Sequence, residues 1–274
     1  MSETSRIRDL YREGGLSEVW RGIYDYIVRS KYPIWKVRQF VEVEPTMAVL
    51  EGVETPTVWV AYDSLRQYRR IKTLGGEEPV IRDLVERAGP DDVVWDVGAN
   101  QGIVAAFAAS TGAAVYAFEP GSARSVLDRT ISQQRYYKIA SYGWALGDAD
   151  THVAFEDVDG YDTCDHVDPT GATDDVRQVR GDTLVDAGDV DAPTIVKIDV
   201  EGYELRVLDG MRGLLERSPL STIYLEVHRD KIASYGDSVD DLEERLGTAG
   251  FSIERIHQRR PDNEHWRCVR EVDS

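Results

Sequence analysis

The stretch Val93-Val-Trp-Asp-Val-Gly-Ala-Asn-Gln-Gly102 joins an apolar strand-like segment to a turn that contains two glycines. It leads into the small-residue segment Ile103-Val-Ala-Ala-Phe-Ala-Ala, which should be helical. Glycine is favoured where a backbone turns tightly or approaches a ligand closely, and a following helix offers free N–H groups to an anion. The pattern therefore predicts a nucleotide-type binding loop, with a purely structural turn as the alternative. The spacing G-x-x-x-G lacks the third glycine of a dinucleotide-binding fingerprint.

Apolar segments with strand character alternate with segments of helical periodicity from Asp92 onward. The expected strands are 93–97, 114–118, 139–145, 194–199 and 221–227. The expected helices lie near 102–110, 122–134, 203–217 and 238–249. Such alternation predicts an α/β fold with a doubly wound, mainly parallel sheet. The two closing apolar runs, 251–256 and 266–271, flank a polar turn and should pair as an antiparallel hairpin.

The chain divides into three expected segments. Residues 1–40 carry apolar residues at roughly helical spacing and predict an amphipathic helical extension. Residues 41–76 begin with short β-type segments separated by turn residues, which predict a small β-rich cover. Residues 77–274 hold the alternating pattern and should form the main α/β domain.

Ionisable residues stand at the carboxyl ends of the predicted strands, where open α/β sheets bind their ligands. They are Asp96 on the first strand, Glu119 after the second, Asp148 after the third, Asp199 after the fourth, and Glu226 and His228 on the fifth. A carboxylate in the position of Glu119 can accept both hydroxyls of a ribose. The alternatives are a solvated carboxylate for Glu119 and a structural histidine for His228.

Acidic residues dominate the composition. The chain has 50 Asp and Glu against 32 Lys and Arg, which gives a formal net charge of -18. Binding to nucleic acid needs clustered basic residues, so this balance excludes a nucleic-acid partner. The surplus of carboxylates favours a salt-rich cytoplasm, in which their mutual repulsion is screened, and an ordinary acidic protein is the alternative.

The two cysteines and the N-terminal charges indicate where the protein resides. Cys164 and Cys268 form no disulfide framework or zinc-binding pattern, which indicates a reducing compartment. Charged residues interrupt the N-terminal segment at once, so neither a signal peptide nor a membrane span is expected. A cytoplasmic protein is therefore predicted.

Five motifs agree in order and spacing with one family. They are Asp96-Val-Gly-Ala-Asn-Gln-Gly102, Ala117-Phe-Glu-Pro120, Ala145-Leu-Gly-Asp148, Lys197-Ile-Asp-Val-Glu-Gly-Tyr-Glu204 and Glu226-Val-His228. Over about residues 75–256 the chain thus resembles the FkbM-type methyltransferases. The resemblance implies a Rossmann-like class I methyltransferase fold with an antiparallel C-terminal hairpin, in which residues 77–274 form the methyltransferase domain. It also implies S-adenosylmethionine as the cofactor, bound across the ends of the first three strands.

The same resemblance implies roles for particular residues. Those expected to bind the cofactor are Asp96, Gly98, Asn100 and Gly102 at its methionine end, Glu119 at its ribose and Asp148 on its adenine side. Gln101 and Tyr203 depart from the common family form, which has an apolar residue and a small residue at these two positions.

Methyl transfer needs an acceptor oxygen held in line with the activated methyl group and a base that takes the acceptor's proton. Asp199, Glu226 and His228 are the ionisable residues at the predicted rim that could serve the acceptor. The expected reaction is O-methylation of a sugar, a glycan or another small hydroxylated acceptor, which a lipid could carry. These residue types also bind metals, but no metal-specific spacing is present, so no metal site is assigned.

Two other functions compete with methyl transfer. A nicotinamide-dependent oxidoreductase would share the glycine loop and Glu119, but Ile103 stands where its third glycine belongs. A non-catalytic binding module with the same fold would give no reason to hold acids at positions 96, 119 and 199. Methyl transfer is therefore the main prediction.

Residues 1–40 differ in charge from the rest of the chain. They hold eight basic and five acidic residues, a net charge of +3, interleaved with Trp and Tyr. Aromatic rings and basic side chains suit a helix on an anionic membrane surface, so residues 5–40 are predicted to contact the inner membrane face peripherally. The alternative is a helix pair that covers the cofactor cleft or contacts a second subunit. The sequence leaves the oligomeric state open.

Overall fold

The computed structural model describes residues 45–52, 58–134, 137–156, 166–168, 174–217 and 219–270. The helical extension predicted over residues 1–40 lies outside these ranges, as does Cys164. Within the described ranges, no helix is both long and apolar enough to cross a membrane.

The secondary-structure elements are numbered in chain order. The strands are β1 (Thr46–Ala48), β2 (Val58–Val60), β3 (Val93–Val97), β4 (Ala114–Phe118), β5 (Lys138–Tyr142), β6 (Ala145–Leu146), β7 (Thr151–Glu156), β8 (His166–Val167), β9 (Asp174–Val179), β10 (Ile195–Ile198), β11 (Thr222–His228), β12 (Ser252–Arg260) and β13 (Asn263–Val269). The α-helices are α1 (Leu65–Lys72), α2 (Glu78–Arg87), α3 (Ile103–Ser110), α4 (Arg124–Gln133), α5 (Gly181–Asp186), α6 (Glu204–Asp209), α7 (Arg212–Arg217), α8 (Arg229–Ile232) and α9 (Val239–Thr248). Short 3-10 helices lie at Leu74–Gly76 and Ala233–Tyr235.

A seven-stranded sheet forms the centre of the fold, in the order β12-β13-β11-β10-β3-β4-β5. The strands from β11 to β5 run parallel, whereas β13 pairs antiparallel with both β11 and β12. These pairings confirm the predicted doubly wound sheet and its antiparallel closing hairpin. The strand order reverses between β3 and β10, and sheets of this kind open a ligand-binding crevice at such a point.

Apolar cores cover both faces of this sheet, and the side chains of β3 alternate between them. Trp95 and Val97 belong to one core, and Val94 belongs to the other. Helix α3 lies in the second core, where all its residues from Ile103 to Ala109 are buried. A parallel strand covered on both faces is apolar at nearly every position, which explains the composition of the stretch that begins at Val93.

Two predicted elements differ from the structure. The strand expected over 139–145 is divided into β5 and β6, and β6 belongs to a separate four-stranded sheet of order β6-β9-β7-β8. The helix expected over 203–217 is divided into α6 and α7. At that division, a Cβ atom on Gly210 would lie 1.9 Å from the carbonyl oxygen of Gly147, so two backbones meet there. Both divisions interrupt continuous apolar patterns, which is why periodicity does not reveal them.

The small antiparallel sheet of β1 and β2 packs beside helices α3 and α4. Val58 and Val60 are fully buried in it. The Ala61 N–H donates to Thr130 Oγ1 at 3.0 Å, which ties the end of β2 to α4. The segment 41–76, predicted to be β-rich, also contains helix α1.

The loop from β3 to α3, residues Gly98 to Gly102, is here called the glycine loop. Gly98, Asn100 and Gly102 have φ angles of 80°, 50° and 84°, a region that favours glycine and tolerates asparagine. A Cβ atom on Gly98 would lie 1.8 Å from the carbonyl oxygen of Asp199. The Gly98 N–H donates to the carbonyl of Phe118 at 3.0 Å. The loop is thereby held between the ends of β4 and β10.

Replacing Gly98 with alanine is expected to lower the free energy of unfolding by more than about 2 kcal/mol, because backbone strain and a backbone clash add. Gly188→Ala is the matched control: its φ is +74°, but nothing lies within 4 Å of the added Cβ. The control should lose only about 1 kcal/mol, the conformational penalty alone. Urea unfolding measures both variants, and equal losses would contradict the close backbone contact at Gly98.

Candidate active site

A cleft of about 610 Å³ opens at the carboxyl ends of β3, β4 and β10. It is lined by Arg70, Val97, Gly98, Asn100, Phe118, Glu119, Pro120, Trp144, Ala145, Leu146, Phe155, His166, Val167, Asp199, Val200, Glu201 and Tyr203. The structure therefore brings the glycine loop, Glu119 and Asp199 to one cavity.

Glu119 holds the glycine loop in place. Its Oε2 accepts the Asn100 N–H and its Oε1 accepts the Gly121 N–H, each at 2.8 Å. Only 5% of Glu119 is exposed, and burial raises the pKa of its carboxyl even though the two N–H groups act in the opposite direction. Each carboxylate oxygen has a second lone pair, so Glu119 can hold the loop and still accept a hydroxyl from the cavity.

Asp96 and Gly102 lie behind the cavity surface rather than on it. Asp96 is fully buried, and neither of its carboxylate oxygens has a side-chain hydrogen-bond partner among the described residues. Its Oδ1 lies 3.7 Å from Lys197 Nζ. Burial raises the pKa of Asp96 to about 6, although the charge of Lys197 acts to lower it. A direct contact of either residue with the methionine end of the cofactor stays a prediction.

Lys197 is the centre of a buried ion cluster. Its Nζ lies 3.3 Å from Glu77 Oε1, 3.4 Å from Asp199 Oδ2 and 3.7 Å from Asp96 Oδ1. Burial alone would lower the pKa of Lys197, but the three carboxylates outweigh it and raise the pKa.

Glu77 also pairs with Arg70 at 3.2 Å. Burial alone would raise the pKa of Glu77, but Lys197 and Arg70 lower it. Glu77 lies in none of the five motifs, so no sequence signal indicates its role.

Asp148 does not belong to the residues that line the cavity. Its Oδ2 accepts a hydrogen bond from Arg206 at 3.1 Å. Arg206 also donates to both carboxylate oxygens of Asp237, at 2.8 and 2.9 Å. The structure thus places Asp148 in an ion-pair network, and its role on the adenine side of the cofactor stays a prediction.

Aromatic residues form the cavity wall beside β4 and β6. The ring centroid of Trp144 lies 4.7 Å from that of Tyr142, and Tyr142 stacks on Phe118 at 5.5 Å. The guanidinium carbon of Arg177 lies 4.6 Å from the centroid of Trp144. Flat aromatic and apolar surfaces suit the binding of a nucleobase. Trp144 could not be predicted as a cavity residue, because an aromatic residue in an apolar segment is usually part of the core.

The structure brings Asp199, Glu226 and His228 together at the ends of β10 and β11. His228 Nε2 lies 3.7 Å from Glu226 Oε1 and 3.9 Å from Asp199 Oδ1. The same nitrogen lies 3.1 Å from Glu201 Oε2, and Nδ1 lies 3.0 Å from Glu204 Oε1. Burial alone would lower the pKa of His228, but the surrounding carboxylates raise it to about 10. The metal-free imidazole is therefore protonated at neutral pH.

These three predicted catalytic residues differ in their access to the cavity. Asp199 lines it, whereas Glu226 and His228 do not. Glu226 is buried, its Oε1 accepts a hydrogen bond from Arg259 at 3.1 Å, and its Oε2 lies 3.1 Å from His265 Nε2. Burial alone would raise the pKa of Glu226, but His265 and His228 outweigh it and leave the pKa well below its ordinary value. Glu226 is therefore a fixed anion rather than a proton acceptor near neutral pH.

The same three residues could hold a divalent cation. Asp199, Glu226 and His228 each offer one ligand atom, and these atoms lie within 4.8 Å of one another. Carboxylate oxygen and imidazole nitrogen are common ligands of divalent metals. The ligands come from the ends of two different strands, so the fold, and not their spacing along the chain, assembles the group.

Glu201 and Glu204 are candidate functional residues that the sequence analysis did not assign. Glu201 lines the cavity with a φ of 56°, and its Oε2 accepts a hydrogen bond from Lys231 at 2.6 Å. Glu204 is fully buried, its Oε1 accepts the Gly202 N–H at 3.0 Å, and burial raises its pKa. The sequence signal for these two residues was the motif that ends at Glu204, because it contains three acidic residues.

The cleft lies at the carboxyl ends of the parallel strands, where sheets of this kind bind their ligands. This layout is that of the class I S-adenosylmethionine-dependent methyltransferases. Within this class, residues 96–253 match the methyltransferase FkbM domain, and the chain belongs to that family. Hexuronic acid methyltransferase AglP of Haloferax volcanii is 36% identical over 193 residues, which are 70% of this chain and 76% of AglP.

Many solved structures match this chain at low sequence identity. The methyltransferase FkbM from Methylobacillus flagellatus KT is 15% identical with a TM-score of 0.48, and the match covers 76% of this chain and 56% of that one. Magnesium protoporphyrin IX methyltransferase from Synechocystis PCC 6803, with bound S-adenosylmethionine, is 15% identical with a TM-score of 0.45. That match covers 92% of this chain and 96% of the other. This chain thus spans little more than half of the Methylobacillus protein.

The chain is therefore an S-adenosylmethionine-dependent methyltransferase, and neither a nicotinamide-dependent oxidoreductase nor a non-catalytic binding module is supported. The residues of the cavity fit this cofactor. Trp144 and Leu146 offer an apolar surface for adenine, Glu119 an acceptor for ribose hydroxyls, and the glycine loop close backbone approach for the methionine end.

Glu119→Gln is expected to weaken the binding of S-adenosylmethionine by roughly tenfold to a hundredfold, because a hydrogen bond to a charged group contributes about 1.5–3 kcal/mol. Glutamine has one carbonyl oxygen and can replace Glu119 as acceptor for only one of the two backbone N–H groups, those of Asn100 and Gly121. Calorimetry with S-adenosylhomocysteine measures the affinity, and Glu86→Gln, an exposed carboxylate on α2, is the control. Unchanged affinity in a folded Glu119→Gln variant would remove Glu119 from the cofactor site.

Proposed function

We propose that this enzyme methylates an oxygen atom of a sugar, and that the acceptor is a hexuronic acid or a glycan that contains one. AglP is named for a hexuronic acid, and its match covers 70% of this chain and 76% of AglP. Similarity over most of both chains supports the same class of acceptor. The site geometry supports the same conclusion.

The cavity has two chemically different sides. Trp144 and Leu146 form an apolar wall, whereas Asp199 and Glu201 place carboxylates beside the end of β10. The apolar wall suits the adenine of the cofactor, which leaves the polar side for a sugar with many hydroxyl groups. This division of the cavity is the observation that carries the proposal.

S-adenosylmethionine supplies an activated methyl group when it is bound. The residues of this chain hold the acceptor oxygen in line with that group and take its proton where the oxygen belongs to a hydroxyl. Asp199 lines the cavity and is held by Lys197 Nζ at 3.4 Å, so it is placed for this proton. In the absence of a metal ion, His228 carries a proton at neutral pH and holds the carboxylates of Asp199 and Glu201 in place.

The environment of the protein is a separate part of the proposal. Peripheral contact with the inner membrane face, a cytoplasmic location and a salt-rich surrounding rest on the sequence. The membrane contact concerns residues 5–40, which lie outside the described ranges. A lipid-carried acceptor depends on that contact, whereas the hexuronic acid acceptor does not.

Assays with radiolabelled S-adenosylmethionine are expected to show transfer to a glucuronide and at least about tenfold slower transfer to the matching glucoside. Arg70 lines the cavity and can donate to the carboxylate of the glucuronide, and a hydrogen bond to a charged group contributes about 1.5–3 kcal/mol. Asp199→Asn should lower kcat on a hydroxyl acceptor by about a hundredfold or more, because the proton acceptor is removed. Its affinity for S-adenosylhomocysteine should not change. Asp186→Asn, an exposed carboxylate at the end of α5, is the control.

Equal rates on the glucuronide and the glucoside would contradict a hexuronic acid acceptor. Full activity of Asp199→Asn would remove its role in proton transfer. Mild alkali identifies the methylated oxygen, because a methyl ester is hydrolysed and a methyl ether is not. An ester product would leave the acceptor class in place and exclude proton removal by Asp199.

A further inference from the structure

We infer that Asp199, Glu226 and His228 bind a divalent cation on the acceptor side of the cleft, and that this cation holds oxygen atoms of an anionic acceptor. The first half stands on geometry, since one ligand atom from each residue lies within 4.8 Å of the others. The second half rests on the proposed function. None of the five sequence motifs has the spacing of a known metal-binding pattern.

One imidazole nitrogen faces three carboxylates. His228 Nε2 lies 3.1 Å from Glu201 Oε2, 3.7 Å from Glu226 Oε1 and 3.9 Å from Asp199 Oδ1. A single N–H group can donate well to only one of these oxygens at a time. His228 is only 6% exposed. Two of these oxygens also accept from other side chains, Glu201 Oε2 from Lys231 at 2.6 Å and Glu226 Oε1 from Arg259 at 3.1 Å. A cation placed among these atoms would contact several of them at once.

The other imidazole nitrogen is already oriented. Nδ1 of His228 lies 3.0 Å from Glu204 Oε1, which also accepts the Gly202 N–H at 3.0 Å. Metal-binding histidines commonly donate their second ring N–H to a carboxylate, which fixes the tautomer that leaves the first nitrogen free. Glu204 is therefore a positioning residue for a His228 that binds the cation through Nε2.

An anionic acceptor would add to the negative charge at this end of the cavity and so favour a bound cation. Asp199 and Glu201 line the acceptor side of the cavity, and a hexuronate would bring another carboxylate toward them. The cationic side chains nearby already pair with carboxylates: Lys197 with Asp199 at 3.4 Å, Lys231 with Glu201 at 2.6 Å, and Arg70, which also lines the cavity, with Glu77 at 3.2 Å. A divalent cation would reverse the local charge and offer its open coordination positions to the acceptor oxygens.

The ligand set indicates which ions suit the site. Two carboxylates favour oxygen-binding cations such as Mg²⁺ and Mn²⁺, whereas the imidazole favours transition metals. Mn²⁺ accepts both kinds of ligand and is therefore the probe of choice. With three protein ligands, a six-coordinate ion would keep positions for the acceptor.

The test uses the full chain, freed of metals with a chelator and titrated with Mn²⁺ under electron paramagnetic resonance. One tight site per chain is expected, and its pulsed spectrum should show coupling to an imidazole nitrogen. His228→Gln should lose this coupling. Asp199→Asn should weaken the affinity for Mn²⁺ by about tenfold or more. Glu244→Gln, an exposed carboxylate on α9, should change neither signal.

Bound Mn²⁺ without nitrogen coupling in the wild-type chain would overturn the inference, because acidic surface residues would then account for the binding. Equal Mn²⁺ affinity in wild type and Asp199→Asn would overturn it as well. Should His228→Gln fail to fold by its melting curve, the wild-type nitrogen signal and the Asp199→Asn affinity still decide the outcome.

Activity on the glucuronide separates the cation's role from the proposed function. Adding Mn²⁺ to the metal-free enzyme should raise kcat/KM by at least about tenfold, through stabilised charge on the acceptor, and leave the affinity for S-adenosylhomocysteine unchanged. Full activity in chelator would overturn the role of the cation and leave the proposed function intact. A Mn²⁺-loaded enzyme that transfers no methyl group to any hexuronic acid would overturn the proposed acceptor and the second half of this inference, but not the cation site.

Discussion

The buried ammonium group of Lys197 supports both sides of the active-site cleft. It contacts three carboxylates from three separate parts of the chain: Glu77 before α2, Asp96 within β3 and Asp199 after β10. Buried charges are destabilising unless they are paired, so these elements can pack together only around a cation. Asp96 lies behind the glycine loop, and Asp199 lines the cavity on the side that we propose for the acceptor. One side chain therefore couples the position of the cofactor loop to that of the acceptor-facing carboxylate.

Position and charge also explain why the three predicted catalytic residues differ in what they can do. Asp199 reaches the cavity, whereas Glu226 and His228 stand behind it. The carboxylates around His228 raise its pKa to about 10, so in the metal-free protein the ring is a cation rather than a base. The same arrangement accepts either a proton on His228 or a divalent cation between its Nε2 and the neighbouring carboxylates. Without a metal ion the protonated histidine holds the neighbouring carboxylates in place, and with one its Nε2 would bind the cation.

Features carried by local signals could be predicted from the sequence. The positive φ angles of Gly98 and Gly102, the alternation of strands and helices and the closing hairpin each follow from residues close together in the chain. Pairings between distant residues leave no such signal. Glu77 reaches Lys197 from a remote segment, and Asp148 pairs with Arg206 instead of lining the cavity. Periodicity describes which face of an element is buried, but not which charged partner that face will meet.

Lys197→Gln tests most directly whether one cation supports both sides of the cleft. Without the ammonium group, the carboxylates lose their buried partner, and the free energy of unfolding should fall by about 3–5 kcal/mol at pH 8. Binding of S-adenosylhomocysteine should weaken in the same variant, because Asp96 lies behind the glycine loop. Urea unfolding and calorimetry measure the two effects. A variant that unfolds within about 1 kcal/mol of wild type, less than half the loss expected for a broken buried pair, and binds the cofactor product normally would contradict this dependence.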